Sequence, residues 1–336
     1  MKLSIIIPFY NVEKYIAECL DSLFAQDIPE TEYEVICVND CSPDGSRAIV
    51  LDYQNKHKNL VLIEHETNKM LGAARNTGLR AAKGKYVWFI DSDDYIEKNV
   101  LGKLISTAEM NELEILQFNI QRVNDSGELF KIAIYPNDIE IISGKSFCEN
   151  FLFDFWALNA CNRIYNKNIL IKNQLYYPEG VYYEDSAHSI KALLLATKFG
   201  YSNKDIYFYR DNPQSIMNTR HESGAKLADR VLLNVDSINA VNKLVEDDIL
   251  LKKKLIYAHI WALKKFRKKI LKFSKIERLK FYNRIEYLQI DFSICKDYMK
   301  WHENMFYLNP NIIKPILSIL NPLIKVLYYI KKLHDK

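Results

Sequence analysis

The chain has 336 residues, 49% hydrophobic and 26% charged, with no low-complexity tract or fixed-period repeat. This excludes a disordered or repeat protein and allows one large domain with an extension, or two domains. The net charge of +4 conceals an asymmetry, because residues 1–240 carry 25 Lys/Arg against 33 Asp/Glu and residues 241–336 carry 21 against 9; a basic tail on an acidic body points to an anionic surface, lipid or nucleic acid, as the tail's partner.

In chain order, MKLSIIIPFYN opens with one lysine and a short apolar run broken at Pro8. That run is shorter than a signal peptide needs, so the protein is expected to stay cytoplasmic. Leu3 to Phe9 has strand length, and Val12 to Gln26 places Val12, Tyr15, Ile16, Cys19, Leu20 and Leu23 at helical spacing. Tyr33 to Val38, Leu60 to Ile63 and Tyr86 to Ile90 read as three further strands, separated by helices at Ala48 to Gln54 and Leu71 to Ala82. This alternation predicts an α/β fold with a mainly parallel sheet covered by helices on both faces. Ligands of such sheets sit outside the carboxyl ends of the strands. The polar clusters fall there: Tyr10 and Asn11, Asn39 to Gly45, and Asp91 to Asp94.

Beyond Glu97 the pattern gives a helix to Ala108, a strand near Ile115 to Gln121 and a hairpin-like turn at Asn124 to Gly127. Residues 144–215 read as short helices with loops. From residue 222 the chain reads as successive helices rich in Lys, Leu, Ile and Tyr, which divides it into 1–221 and 222–336. Cys19, Cys37, Cys41, Cys148, Cys161 and Cys295 contain no CxxC pair and are expected as reduced thiols in or near the core, leaving oxygen to hold any metal.

The segment KYVWFIDSDDYI, residues 85–96, ends a core strand in Asp91, Asp93 and Asp94. A single Asp would cap the following helix. Three packed carboxylates repel one another unless a cation sits among them, and hard divalent ions prefer carboxylate oxygen. Mn²⁺ or Mg²⁺ with positions open for phosphate oxygens accounts for the cluster. In VNDCSPDGS, residues 38–46, Ser42-Pro43-Asp44-Gly45 is a turn signature. Asp40 stands at the same sheet edge, where its carboxylate can accept from a base N–H while Tyr10 offers an aromatic face.

Together, SIIIPFYN at 4–11, VICVNDCSPDGS at 35–46, GAARNTGLRAAKGKYVWFIDSDDYI at 72–96 and VYYEDSAH at 181–188 resemble the inverting family 2 glycosyltransferases. The resemblance covers about residues 1–215. It implies a GT-A nucleotide-sugar-binding domain followed by an α-helical C-terminal extension. It also implies a donor site made by Pro8, Tyr10, Asp40, Arg75, Asp91 and Asp93, with Asp93 as the metal ligand and Asp91 toward the ribose and metal. The family's catalytic carboxylate falls on Asp185, which would take the acceptor hydroxyl proton. Glu184 and Trp156 are candidates for the acceptor side, with Arg163 beside them, although a buried Trp156 with an exposed Arg163 is the simpler expectation. His188 and His221 are weaker candidates for a further metal ligand. The family often has Gly where Cys41 stands and Gly where Met70 or Leu71 stands, so the loop geometry here is expected to differ.

The family context implies transfer of a sugar from a nucleotide-diphosphate sugar, UDP-linked by expectation, to a glycan or lipid-linked acceptor in surface polysaccharide assembly. A sugar-phosphate nucleotidyltransferase would need a Gly-rich phosphate loop near the N-terminus, and IIIPFYN has none. A non-catalytic nucleotide-sugar-binding or membrane scaffold would not need both the DxD pair and Asp185. No nucleic-acid-binding module is evident, and nucleic acid is not expected as a partner.

In LKKKLIYAHIWALKKFRKKILKFSKIERLKF, residues 251–281, Leu255, Ile256, His259, Leu263, Phe266, Ile270 and Phe273 form a helical stripe among lysines. The stripe either packs on the protein or, with the terminal LNPNIIKPILSILNPLIKVLYYIKK, lies on the inner face of the cell membrane as a peripheral anchor. Spanning is not expected, because Lys314, Pro315, Pro322 and Lys325 interrupt the terminal run.

Overall fold

The structure, a computed structural model, describes residues 1–124, 126–133, 140–151, 158–212 and 223–287. Trp156, His221, Cys295 and the terminal apolar run lie outside the described residues.

The first half alternates as the apolar runs require. In order come β1 (Leu3–Phe9), α1 (Ile16–Phe24), β2 (Tyr33–Asn39), α2 (Ser46–Lys56), β3 (Leu60–Glu64), α3 (Met70–Ala81) and β4 (Tyr86–Phe89). Every residue of β1, β2 and β4 is buried, as expected of parallel strands with helices on both faces. The four strands are parallel in the order β3-β2-β1-β4. Two glycines let α3 approach its neighbours. A Cβ at Gly78 would lie 2.3 Å from Ile6 Cγ2 on β1, and one at Gly72 would lie 2.3 Å from the Pro178 carbonyl oxygen. The latter contact brings the start of α3 against the loop that precedes Glu184.

The second half contains β5 (Tyr95–Ile96), α4 (Leu101–Met110), β6 (Ile115–Val123), β7 (Leu129–Ala133), β8 (Glu140–Ile142), α5 (Gly144–Phe151), β9 (Arg163–Asn166), α6 (Lys167–Lys172), α7 (Glu184–Leu195) and β10 (Phe199–Arg210). The β6–β7 hairpin turns where expected: Asn124 Oδ1 accepts from the N–H groups of Ser126 and Glu128, and Gly127 takes φ +79°. The sheet continues as β4-β9-β6-β10-β5, with β7 on β6 and β8 on β10. Among the described residues six of the ten strands run in one direction, and β9 is the antiparallel member inside the sheet.

Residues 144–215 therefore differ from the sequence expectation, since they supply two central strands. β9 has four residues, too few for a period to show, and β10 is bulged between Ser202 and Tyr207, which breaks its alternation with Asn203, Lys204 and Asp205. Arg163, expected exposed, is fully buried on β9. Four of the cysteines, Cys19, Cys37, Cys148 and Cys161, are buried free thiols as expected, and Cys41 is exposed.

Three helices follow: α8 (Gly224–Leu244), α9 (Ile249–Lys272) and α10 (Lys275–Tyr287). The chain divides into two compact units, Met1–Glu222 with Ala240–Leu255, and Ser223–Asn239 with Ile256–Lys336. Within the second unit Arg284 Nε donates to Asp229 Oδ1 at 2.7 Å and the Arg230 guanidinium sits 4.9 Å from the Phe266 ring centroid. On α9, Leu255, Ile256, His259 and Phe266 are buried, so these members of the stripe pack inward. No described helix is long and apolar enough to cross a membrane.

Candidate active site

The site begins with two loops at the carboxyl ends of β1 and β2, which one carboxylate ties together. Asp44 accepts from the Ser42 hydroxyl (2.6 Å), from the Ser46 hydroxyl and N–H (2.6 and 3.1 Å), and from the Glu13 N–H (2.9 Å). Desolvation alone would raise its carboxyl pKa, but these bonds outweigh it and hold the pKa below the usual range. The Ser42 hydroxyl in turn accepts from Asn11 N–H at 2.8 Å, and Gly45 N–H donates to Glu13. Tyr10 stands on this frame with 47% of its surface exposed, free to offer its ring to a ligand, and Pro8 is buried in β1. Asp40 is buried at the base of the loop. Its Oδ1 accepts from the Lys69 N–H at 2.8 Å and meets His65 Nδ1 at 2.7 Å, while His65 Nε2 meets the Thr77 hydroxyl at 2.9 Å. One Asp40 oxygen thus holds the β3–α3 connection in place, and Oδ2 carries none of these bonds.

At the end of β4 the three aspartates have different fates. Asp94 is buried, with Oδ2 accepting from the Tyr207 hydroxyl at 2.5 Å and Oδ1 from the Arg210 N–H at 2.8 Å. Burial and its neighbours Asp93 and Asp91 push its pKa well up, and its bonds to Tyr207 and Arg210 anchor the loop to β10. Asp93 Oδ2 accepts from Asn212 Nδ2 at 2.9 Å, and its pKa is raised by desolvation and by Asp91. Asp91 is 29% exposed, and its Oδ1 accepts from Arg75 Nη2 at 2.7 Å.

Arg75, on α3, is fully buried. Its Nη1 donates to Glu184 Oε1, and the guanidinium lies 5.1 Å from the Tyr177 ring centroid. Burial alone would lower its pKa, but Asp91 and Glu184 drive it well above the ordinary value, so it stays charged. Glu184, a candidate for the acceptor side, is 4% exposed and bonded to Arg75. Asp185 follows it in the first turn of α7, after Tyr183 in the left-handed region at φ 65°. Its pKa is raised by burial, with Arg75 pulling it down and Asp91 pushing it up. One guanidinium thus joins the end of β4 to the start of α7.

His188 is buried with its ring stacked on Tyr177 at 3.8 Å, and its Nε2 donates to the Leu175 carbonyl at 3.2 Å. It is a packed core histidine. The sequence reading missed Tyr207, Arg210 and Asn212, which fix the aspartate loop from β10. The run Ile206-Tyr207-Phe208-Tyr209 was the available signal, since aromatic and β-branched residues favour strands.

Asp91 and Asp93 each commit one oxygen to a protein donor and keep the other, which suits a cation held by one or two carboxylates plus substrate phosphates. Among the described residues no group of three or more His, Cys, Asp or Glu forms a fuller ion cage.

The chain is 34% identical over 212 residues to the poly(ribitol-phosphate) beta-glucosyltransferase of Bacillus spizizenii, a stretch covering 62% of this chain and 32% of the relative. It is 33% identical over 252 residues to the poly(ribitol-phosphate) beta-N-acetylglucosaminyltransferase TarS of Staphylococcus aureus, covering 74% of this chain and 41% of the relative. It therefore spans less than half the length of these curated relatives. The crystal structure of S. aureus TarS 1-349 in complex with UDP-GlcNAc superposes with a TM-score of 0.71 at 27% identity, over 88% of this chain and 83% of that one. The fold thus matches a GT-A structure. The model of the Glycosyl transferase family 2 family matches residues 4–171, half of the chain, and the protein belongs to that family.

Proposed function

We propose that the protein is an inverting glycosyltransferase that moves a sugar from a UDP-sugar to a hydroxyl of a glycan or lipid-linked acceptor in surface polysaccharide synthesis. Residues 1–221 act as the catalytic domain and 222–336 as a basic helical region that works at the inner face of the cell membrane. The observation that supports this most is the single buried guanidinium of Arg75, bonded to Asp91 on one side and to the Glu184 that precedes Asp185 on the other. The similarity to a UDP-GlcNAc complex supports the donor class.

In this reading Tyr10 and Asp40 receive the base, and Arg75 holds Asp91 in place at the donor. Mn²⁺ or Mg²⁺ would be held by Asp93 and Asp91, and when bound it would offset charge on the departing diphosphate. Asp185 takes the acceptor hydroxyl proton at its carboxylate as that oxygen attacks the anomeric carbon from the face opposite the nucleotide. A single displacement inverts the centre. Burial raises the pKa of Asp185, which moves a carboxylate base toward the operating pH and strengthens it.

A screen of nucleotide sugars for release of nucleoside diphosphate, with and without Mn²⁺, tests the reaction. Asp185→Asn is expected to keep donor affinity and lower kcat by about 10²-fold or more, because an amide cannot accept the proton. Asp93→Asn is expected to remove the metal-supported part of donor binding. Transfer at wild-type rate by Asp185→Asn would place the base elsewhere.

A further inference from the structure

Within the loop Asp91-Ser92-Asp93-Asp94 the main chain is closed by a bond from Asp94 N–H to the Asp91 carbonyl at 3.1 Å. What fixes Asp93 comes from the far end of β10. Arg210 Nε donates to the Asp93 carbonyl oxygen at 3.0 Å, and Asn212 Nδ2 donates to Asp93 Oδ2 at 2.9 Å. Both donors are themselves locked. The Arg210 guanidinium lies 5.5 Å from the Tyr15 ring centroid and 5.3 Å from that of Tyr95, its Nη2 donates to Glu18 Oε2 at 2.6 Å, and its N–H donates to Asp94 Oδ1. The Tyr15 hydroxyl donates to Asn212 Oδ1 at 3.4 Å, which turns the amide so that its nitrogen faces Asp93. Lys keeps a charge and three donors but lacks the planar guanidinium whose separate nitrogens reach the Asp93 carbonyl and Glu18 while its face lies beside two rings.

We propose that Arg210 and Asn212 are positioning residues for the donor site: they hold the Asp93 main chain and one carboxylate oxygen, so that the other oxygen is presented to the ligand. This rests on Asp93 being the donor-site carboxylate proposed above. The end of the last sheet strand then sets donor affinity through a residue distant in sequence. Bonded partners of ligating groups act in this way, and their loss commonly costs 10–100-fold in affinity or activity.

The test uses the full chain with Asn212→Ala, Asn212→Asp, Arg210→Met and Arg210→Lys. Three readouts are taken: UDP affinity by calorimetry with and without Mn²⁺, kcat and KM for the donor, and amide exchange over residues 91–96. Asn212→Ala and Arg210→Met are expected to weaken UDP binding and raise donor KM by about 10-fold or more, with a smaller change in kcat and faster exchange at 91–96. Asn212→Asp keeps the shape of the side chain but turns a carboxylate toward Asp93, so its loss should exceed that of Asn212→Ala. Arg210→Lys should recover part of what Arg210→Met loses. Unchanged donor affinity in both Asn212 variants overturns the proposal. So does a fall in thermal midpoint and kcat with donor KM unmoved, because the contacts would then be struts alone. If the wild-type protein binds no UDP, the proposed function fails, and unaltered exchange at 91–96 separately overturns the positioning of Asp93.

Discussion

Asp91 and Glu184 are held by the two terminal nitrogens of one buried guanidinium, that of Arg75. The loop after β4 and the first turn of α7 therefore cannot move apart without leaving a buried charge uncompensated. Removing one partner of such an arrangement typically costs about 3–5 kcal/mol. Arg75→Lys is expected to fail as a replacement, because a single ammonium cannot span both carboxylates. Its kcat/KM should fall by about 10²-fold through donor and acceptor steps together, whereas Glu184→Gln, which still offers Arg75 an acceptor, should lose much less. Steady-state kinetics of the two variants decide this, and wild-type kcat/KM in Arg75→Lys would show that the bridge is not needed.

The parts of this site that sequence revealed are those where one residue type has one job. The runs Leu3 to Phe9 and Tyr86 to Ile90 are apolar throughout because helices cover both sheet faces, and the carboxylates beyond them mark the ligand edge. The family resemblance left Asp94 out of the donor site, but the residues alone could not say what it does, since its partners Tyr207 and Arg210 arrive from β10. Its bulges hid that strand. Arg163 was misplaced for a related reason, because charged side chains read as exposed until a partner is known, and the partner of Glu184, Arg75, was equally hidden because it lies on another helix.

Cys41 and Met70 take φ values of 60° and 70°, in the left-handed region where the family often carries Gly. A side chain there costs about 1–2 kcal/mol, while Gly adds about 0.5–1 kcal/mol of unfolded-state entropy. Cys41 is exposed and loses little packing, so Cys41→Gly should stabilise the protein by about 0.5–1 kcal/mol, the difference of those costs. Urea unfolding measures it. A lower midpoint for Cys41→Gly would show that the loop is not strained.

The proposed work at a membrane surface has a specific face to test. On α10, Ile276, Leu279 and Tyr282 are 68%, 60% and 42% exposed at a spacing that forms one stripe, beside exposed Lys275, Arg278 and Lys280. Basic residues near anionic lipid contribute about 1 kcal/mol each, and the apolar stripe adds burial in the headgroup region. The protein should co-sediment with anionic but not neutral vesicles, less so at high salt. Ile276→Ser with Leu279→Ser should weaken the binding, and equal recovery of wild type and variant in the supernatant would remove α10 from the membrane reading.

His188 gives a prediction for acid. Burial lowers its pKa to about 3, with the bond to the Leu175 carbonyl opposing the shift and Arg163 and Arg75 adding to it. An unfolded histidine has a pKa of about 6.5, so between those values the unfolded chain binds a proton that the native state refuses. Stability from this group is whole above about pH 6.5 and is lost as pH falls toward 3, at about 1.4 kcal/mol per unit. The raised carboxyls of Asp93, Asp94, Glu184 and Asp185 act in the opposite sense, because the native state protonates them earlier than the unfolded chain does. The histidine contribution is therefore isolated by comparison with His188→Asn, which carries a donor for Leu175 but does not titrate. The variant should be less stable at pH 7, where the stack on Tyr177 is missing, and its deficit should shrink and then reverse as pH falls below about 6. Chemical unfolding from pH 7 to pH 4 provides the measurement. Parallel stability profiles for the two proteins would mean that His188 binds its proton equally in the folded and unfolded states, and that burial does not lower its pKa.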